Sequence, residues 1–156
     1  MERNALTAAM KTSISDVLET MFFVPLEFSD TVRRDDRWSL DEKDMVMSKV
    51  SFTGPLNGYF VLSVPLDMAR SITGDFVGRN EDNVSQKEIE GTVQEIVNMM
   101  AGSTFFNYDD QAVFSLGIPE VVHLLEAPRE EPNCKERFFV VVQTPDNYLA
   151  LEMVMT

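Results

Sequence analysis

The chain has 156 residues, 44% of them hydrophobic and 25% charged, with 13 basic against 26 acidic side chains and a formal net charge of −13. This suits one globular domain, residues 1–156, with a single sizeable core, and its acidic surface repels phosphate backbones, which argues against nucleic acid as a partner. The single cysteine, Cys134, excludes an internal disulfide and any multi-cysteine metal cluster.

No apolar run reaches the roughly 18–20 residues that cross a bilayer. The opening MERNALTAAMKTS lacks the apolar core and cleavage site of a secretory signal. The expectation is a cytoplasmic protein without a membrane partner.

In chain order, Ala5 to Phe22 reads as an amphipathic helix stopped by Pro25. Leu6, Met10, Ile14, Val17, Leu18 and Met21 share one side. A polar connection over 29–44 leads to two strands, 46–52 and 58–64, joined by a turn with Pro55, Asn57 and Gly58. Pro65 opens a short helix with Met68, Ala69, Ile72 and Phe76 facing inward. After the polar loop 78–84, Ser85 and Glu88 form a capping box, which fixes the start of a helix from Ser85 to Gly102. A strand over 111–118 ends at Pro119, and an apolar segment over 121–126 and a loop over 127–136 follow. Strands 137–143 and 148–155 then make a hairpin across Thr144 to Asn147. The pattern predicts an α+β fold, two long helices packed on an antiparallel-rich sheet.

Segments 50–64 and 140–154 echo each other: a proline-asparagine turn, then an aromatic-led strand. Ser15, Glu19 and Phe22 repeat the four-and-three spacing of Gly91, Glu95 and Asn98. A duplicated fold with pseudo-twofold symmetry produces such echoes, although two short matches can also arise by chance.

The helix from Ser85 is the most informative stretch. Ile89, Val93, Ile96, Val97 and Met100 form its apolar face. At about 100° per residue, Gly91, Glu95, Asn98 and Gly102 make a narrow stripe opposite. One reading is an ordinary solvent face with Gly102 as C-cap. The other is a surface that something approaches closely, because each exposed helical glycine costs about 1 kcal/mol relative to alanine.

Little other chemistry is available. His123 sits in an apolar segment and reads as a strand residue. Asp109 and Asp110 read as a turn, and the methionines as packing. No nucleophile elbow, phosphate-binding loop, dinucleotide fingerprint or zinc-protease motif is present. A carboxamide can orient a water and a carboxylate can grip a partner's cation. Glu95 and Asn98 therefore suit phosphoryl transfer in which the partner brings the phosphoryl group and the metal.

The residues EIVNMMAG around Glu95 and Asn98, with Pro119 after 20 intervening residues, resemble the CheC/CheX/FliY chemotaxis phosphatases, CheX-like domains most of all. LETMFFVP, GYFVLSVPLDMA and the C-terminal hairpin also look CheX-like, so the resemblance covers Ala5 to Thr156. It implies a CheC-like fold and hydrolysis of the aspartyl phosphate of a CheY-type response regulator in two-component signalling. Asn98 would orient the attacking water and Glu95 would pair with the regulator's lysine. Gly91, Gly102 and Pro119 would lie at the partner surface. The resemblance further implies Mg²⁺ supplied by the regulator, no metal ligands here, and a homodimer. Gly91 stands where the family has Asp or Ser, and Ser103 where Asn is common. Phe22 stands where a second site would need Asn, so one site per chain is expected. The alternative is a non-catalytic receiver-binding module resembling the flagellar switch proteins.

Overall fold

Leu6, Met10, Ile14, Val17 and Leu18 recur at helical spacing, and all five are buried. They turn α1 (Glu2–Ser15) and the turn after it onto a sheet. This computed structural model describes residues 2–29, 45–122, 133–145 and 148–156. Positions 30–44 of the expected polar connection, His123 and 127–132 of the expected loop lie outside them.

Among the described residues the sheet has seven strands. They are β1 (Glu27–Ser29), β2 (Met45–Thr53), β3 (Gly58–Pro65), β4 (Ser115–Leu116), β5 (Glu120–Val122), β6 (Glu136–Gln143) and β7 (Tyr148–Met155). The order is β1-β6-β7-β3-β2-β4, β5 also pairs with β2, and every pairing is antiparallel. Alternate residues of the long strands, among them Val50, Phe52, Phe60, Leu62, Phe138, Val140, Leu151 and Met153, fill the core. That is the period-two pattern of a sheet with one buried face.

Among the described residues, two further α-helices follow β3. One is α2 (Leu66–Val77), closed by Gly78 in the left-handed conformation at φ 72°. The other is α3 (Gln86–Tyr108). Helices α1 and α3 pack against each other and on the sheet. The Ser13 hydroxyl donates to the Met100 carbonyl at 3.0 Å, and Thr104 Oγ1 donates to Ser13 Oγ at 3.0 Å. These buried bonds fix how the two helices cross.

The pseudo-twofold echo has a structural counterpart. Hairpins β2–β3 and β6–β7 meet along β3 and β7, where Leu62 pairs with Leu151. Each half also lends its short edge strand to the other half's hairpin: β1 pairs with β6, and β4 and β5 with β2.

Five expectations need correction. The first helix starts at Glu2, and its last turn, Asp16–Met21, winds as a π-helix. Met21 and Phe76, expected inside, are exposed, each in the last turn of its helical segment. Helix α3 runs six residues past Gly102, so Gly102 is interior and no cap. Burying Phe105 against Phe52 and Phe60, with centroids 4.8 and 5.5 Å away, outweighs the glycine's propensity cost of about 1 kcal/mol. The strand expected over 111–118 shrinks to Ser115–Leu116. Asp109 Oδ1 accepts from the Gln111 N–H at 3.1 Å, making a turn, and Phe114 stacks on Phe105 at 3.9 Å. Finally, β1 has no counterpart in the expected elements.

Candidate functional site

Helix α3 is set in rotation by its apolar face and in register by its cap. Ser85 Oγ accepts from the Glu88 N–H, and Glu88 Oε1 accepts from the Ser85 N–H, both at 3.1 Å. Arg79 pairs with Glu88 and ties the preceding loop to this first turn. With Ile89, Val93, Ile96, Val97 and Met100 buried, the opposite stripe must face outward. Gly91, Glu95 and Gly102 are exposed, and Asn98 is half-exposed.

Among the described residues, neither the Glu95 carboxylate nor the Asn98 carboxamide has a hydrogen-bond or ion-pair partner. Both are therefore available to an external group. The glycines leave the stripe flat around them. A Cβ on Gly91 would meet nothing within 4 Å, and one on Gly102 only Leu116 Cδ1 at 4.0 Å. Among the described residues, no steric demand accounts for glycine at either position.

Pro119 comes to the same helix. Its ring leaves no N–H for the ladder with β2, and its carbonyl accepts from Gln94 Nε2 at 3.0 Å. Leu116 lies against Gly102 and Pro119 against Gln94. Eight helical residues span about 12 Å, and three extended residues about 10 Å. The chain between Leu116 and Pro119 therefore passes the turn that carries Asn98. Beyond Gly102, a recess of about 200 Å³ opens, lined by Gly102, Phe105, Phe106, Asp109, Phe114 and Leu116 among others.

The sequence pattern missed Gln94, Ile118 and Phe106. Only Phe106 carried a readable signal, since it continues the stripe one turn beyond Gly102. Gln94 and Ile118 gain their places from a chain reversal that periodicity does not encode.

The echo on the first helix is not an equivalent arrangement. Ser15 Oγ donates to Glu19 Oε1 at 2.5 Å, which engages that carboxylate within its own helix. The looser π winding carries Phe22 off the stripe, half-buried, with its ring centroid 6.3 Å from that of Phe76. Among the described residues, no three His, Cys, Asp or Glu side chains converge to hold a metal ion.

Among the described residues no helix is long and apolar enough to cross a membrane. No curated protein sequence matches the chain. Several solved structures share its fold. CheX from Vibrio vulnificus is 18% identical with a TM-score of 0.73, the match covering 97% of this chain and 96% of that one. The CheX–CheY–BeF3–Mg²⁺ complex from Borrelia burgdorferi contains a chain that is 14% identical with a TM-score of 0.69, covering 95% and 96%. FliY from Thermotoga maritima is 14% identical with a TM-score of 0.63, covering 98% and 89%. Residues 46–143 match the family model of the chemotaxis phosphatase CheX. That stretch is more than half of the chain and holds the exposed stripe of α3, so the protein belongs to the CheX family of chemotaxis phosphatases.

Proposed function

We propose that this chain hydrolyses the aspartyl phosphate of a CheY-type response regulator by presenting Glu95 and Asn98 to the regulator's own active site. One observation carries the reading: an unpartnered carboxylate and carboxamide stand one turn apart on an exposed, glycine-flanked helix face. The Borrelia burgdorferi relative, crystallised with CheY, BeF3 and Mg²⁺, supports a receiver of this kind as the partner.

In this mechanism the Asn98 side-chain oxygen accepts a hydrogen bond from a water and holds it in line with the phosphorus. The water oxygen bonds to phosphorus as the bond from phosphorus to the aspartyl oxygen breaks, the aspartate leaves as its carboxylate, and the water's protons stay with the inorganic phosphate that is released. Glu95 accepts from the regulator's lysine and sets the register of docking. Mg²⁺ held by the regulator would neutralise charge on the phosphoryl oxygens. A homodimer and a cytoplasmic location belong to the same reading, and sedimentation of the purified chain tests the first.

The test is phosphate release from the phosphorylated receiver with Mg²⁺. Asn98→Ala should slow it about 30- to 1000-fold, the 2–4 kcal/mol lost with one transition-state contact, while receiver binding persists. Gly91 supplies no side chain where the family carries Asp or Ser. That departure supports the alternative, a docking module like the flagellar switch proteins, which binding without accelerated release would establish.

A further inference from the structure

The edge strand beside the stripe contains a built irregularity. Phe52 pairs with Leu116 and Lys49 with Glu120. Gly117, Ile118 and Pro119 therefore oppose only Val50 and Ser51, which makes a β-bulge. Bulges re-aim side chains and recur beside functional sites. This one is pinned at every side. The Gly117 N–H donates to the Ser51 carbonyl at 2.8 Å, Gln94 Nε2 to the Pro119 carbonyl at 3.0 Å, and Ser48 Oγ to the Glu120 carbonyl at 2.8 Å.

The bulge holds Ile118 87% exposed. A single exposed apolar side chain is ordinary. Here the isoleucine is fixed in place at the level of Asn98, and Phe106, 70% exposed, stands one turn past Gly102. The polar pair thus has one exposed apolar side chain beside it and a second further along the same helix face, and apolar anchors next to a polar centre suit a protein partner.

We propose that Ile118, with Phe106, is an affinity-determining anchor that packs on apolar surface of the receiver beside its phosphorylation site. The proposal rests on the receiver-phosphatase reading and adds residues that contribute binding and no chemistry. Its occupant is the receiver, because the bulge is continuous with the face that Glu95 and Asn98 must present. The Gln94 bond makes the anchor pre-organised, so little ordering entropy is lost on docking.

The experiment measures the affinity of the full chain for a cognate CheY-type receiver loaded with BeF3⁻ and Mg²⁺, alongside steady-state phosphate release and the sedimentation coefficient. Ile118→Asp should weaken binding about tenfold or more and raise KM by a similar factor, with far less effect on kcat. Phe106→Ser should act in the same direction, and Ile118→Val should restore most of the affinity. Unchanged affinity and KM in both Ile118→Asp and Phe106→Ser would overturn the proposal. Conversion of a dimer to monomers by Ile118→Asp would also overturn it, assigning the bulge to self-association. If the unsubstituted chain binds the receiver without speeding phosphate release, yet Ile118→Asp weakens that binding, the catalytic reading fails and the anchor stands. If the unsubstituted chain does not bind, both fail.

Discussion

Gly91 allows stability and function to be separated at a single residue. Its missing Cβ would meet open space, so Gly91→Ala should stabilise the helix by about 1 kcal/mol through propensity alone, read as a higher urea midpoint. If a receiver approaches the stripe closely, the same methyl group should weaken receiver binding, and the two measurements would move in opposite directions. A rise in stability with unchanged binding would leave the glycine without a functional role. Glu95 and Asn98 were legible in the sequence because a helix converts spacing directly into a shared face, and five buried apolar residues fix which face that is. Gln94 was not. Its bond to the Pro119 carbonyl depends on where the chain returns 25 residues later, and no local pattern records that.

The end of the first helix shows what periodicity leaves out for an element. The apolar spacing locates the helix and its buried side, yet α and π turns both satisfy it over six residues. Winding was settled by the exit. Phe23 adopts φ 55°, and the Val24 N–H bonds to the Leu18 carbonyl at 2.9 Å. That bond spans six residues where the usual helix-closing bond spans five, consistent with closing a π turn. A left-handed conformation costs a non-glycine residue roughly 1–2 kcal/mol, and the Phe23 ring is 84% exposed, so little burial offsets it within the chain. Phe23→Gly should therefore raise stability by about 0.5–1 kcal/mol in thermal or urea unfolding, the gain reduced by glycine's freedom in the unfolded chain. A loss of stability instead, together with a shift toward monomer in sedimentation, would place the ring inside a homodimer contact. The shrinking of the strand expected over 111–118 has the same kind of cause: Phe114 had two possible uses, a ladder position or a stack on Phe105, and only tertiary packing chooses between them.

For the whole molecule, the exchange of edge strands decides how it comes apart. The first half contributes β1 to the hairpin of the second, and the second contributes β4 and β5 to the hairpin of the first. Between them, β3 and β7 pair along six residues at the middle of the sheet. Helices α1 and α3, one from each half, share the buried hydroxyl bonds of Ser13 and Thr104. Neither half can close its own sheet or cover its own core, so the described elements should unfold as one unit. Calorimetry should give a single transition with matching calorimetric and van't Hoff enthalpies, and far- and near-ultraviolet circular dichroism should report the same midpoint. Phe105 sharpens the test because its ring joins the second half's helix to Phe52 and Phe60 of the first half's strands. Phe105→Ala should cost about 3–5 kcal/mol and lower Tm on the order of 10 °C, still in one step. Two resolved transitions, with only the later half of the chain destabilised, would mean that the duplicated halves fold independently despite their exchanged strands.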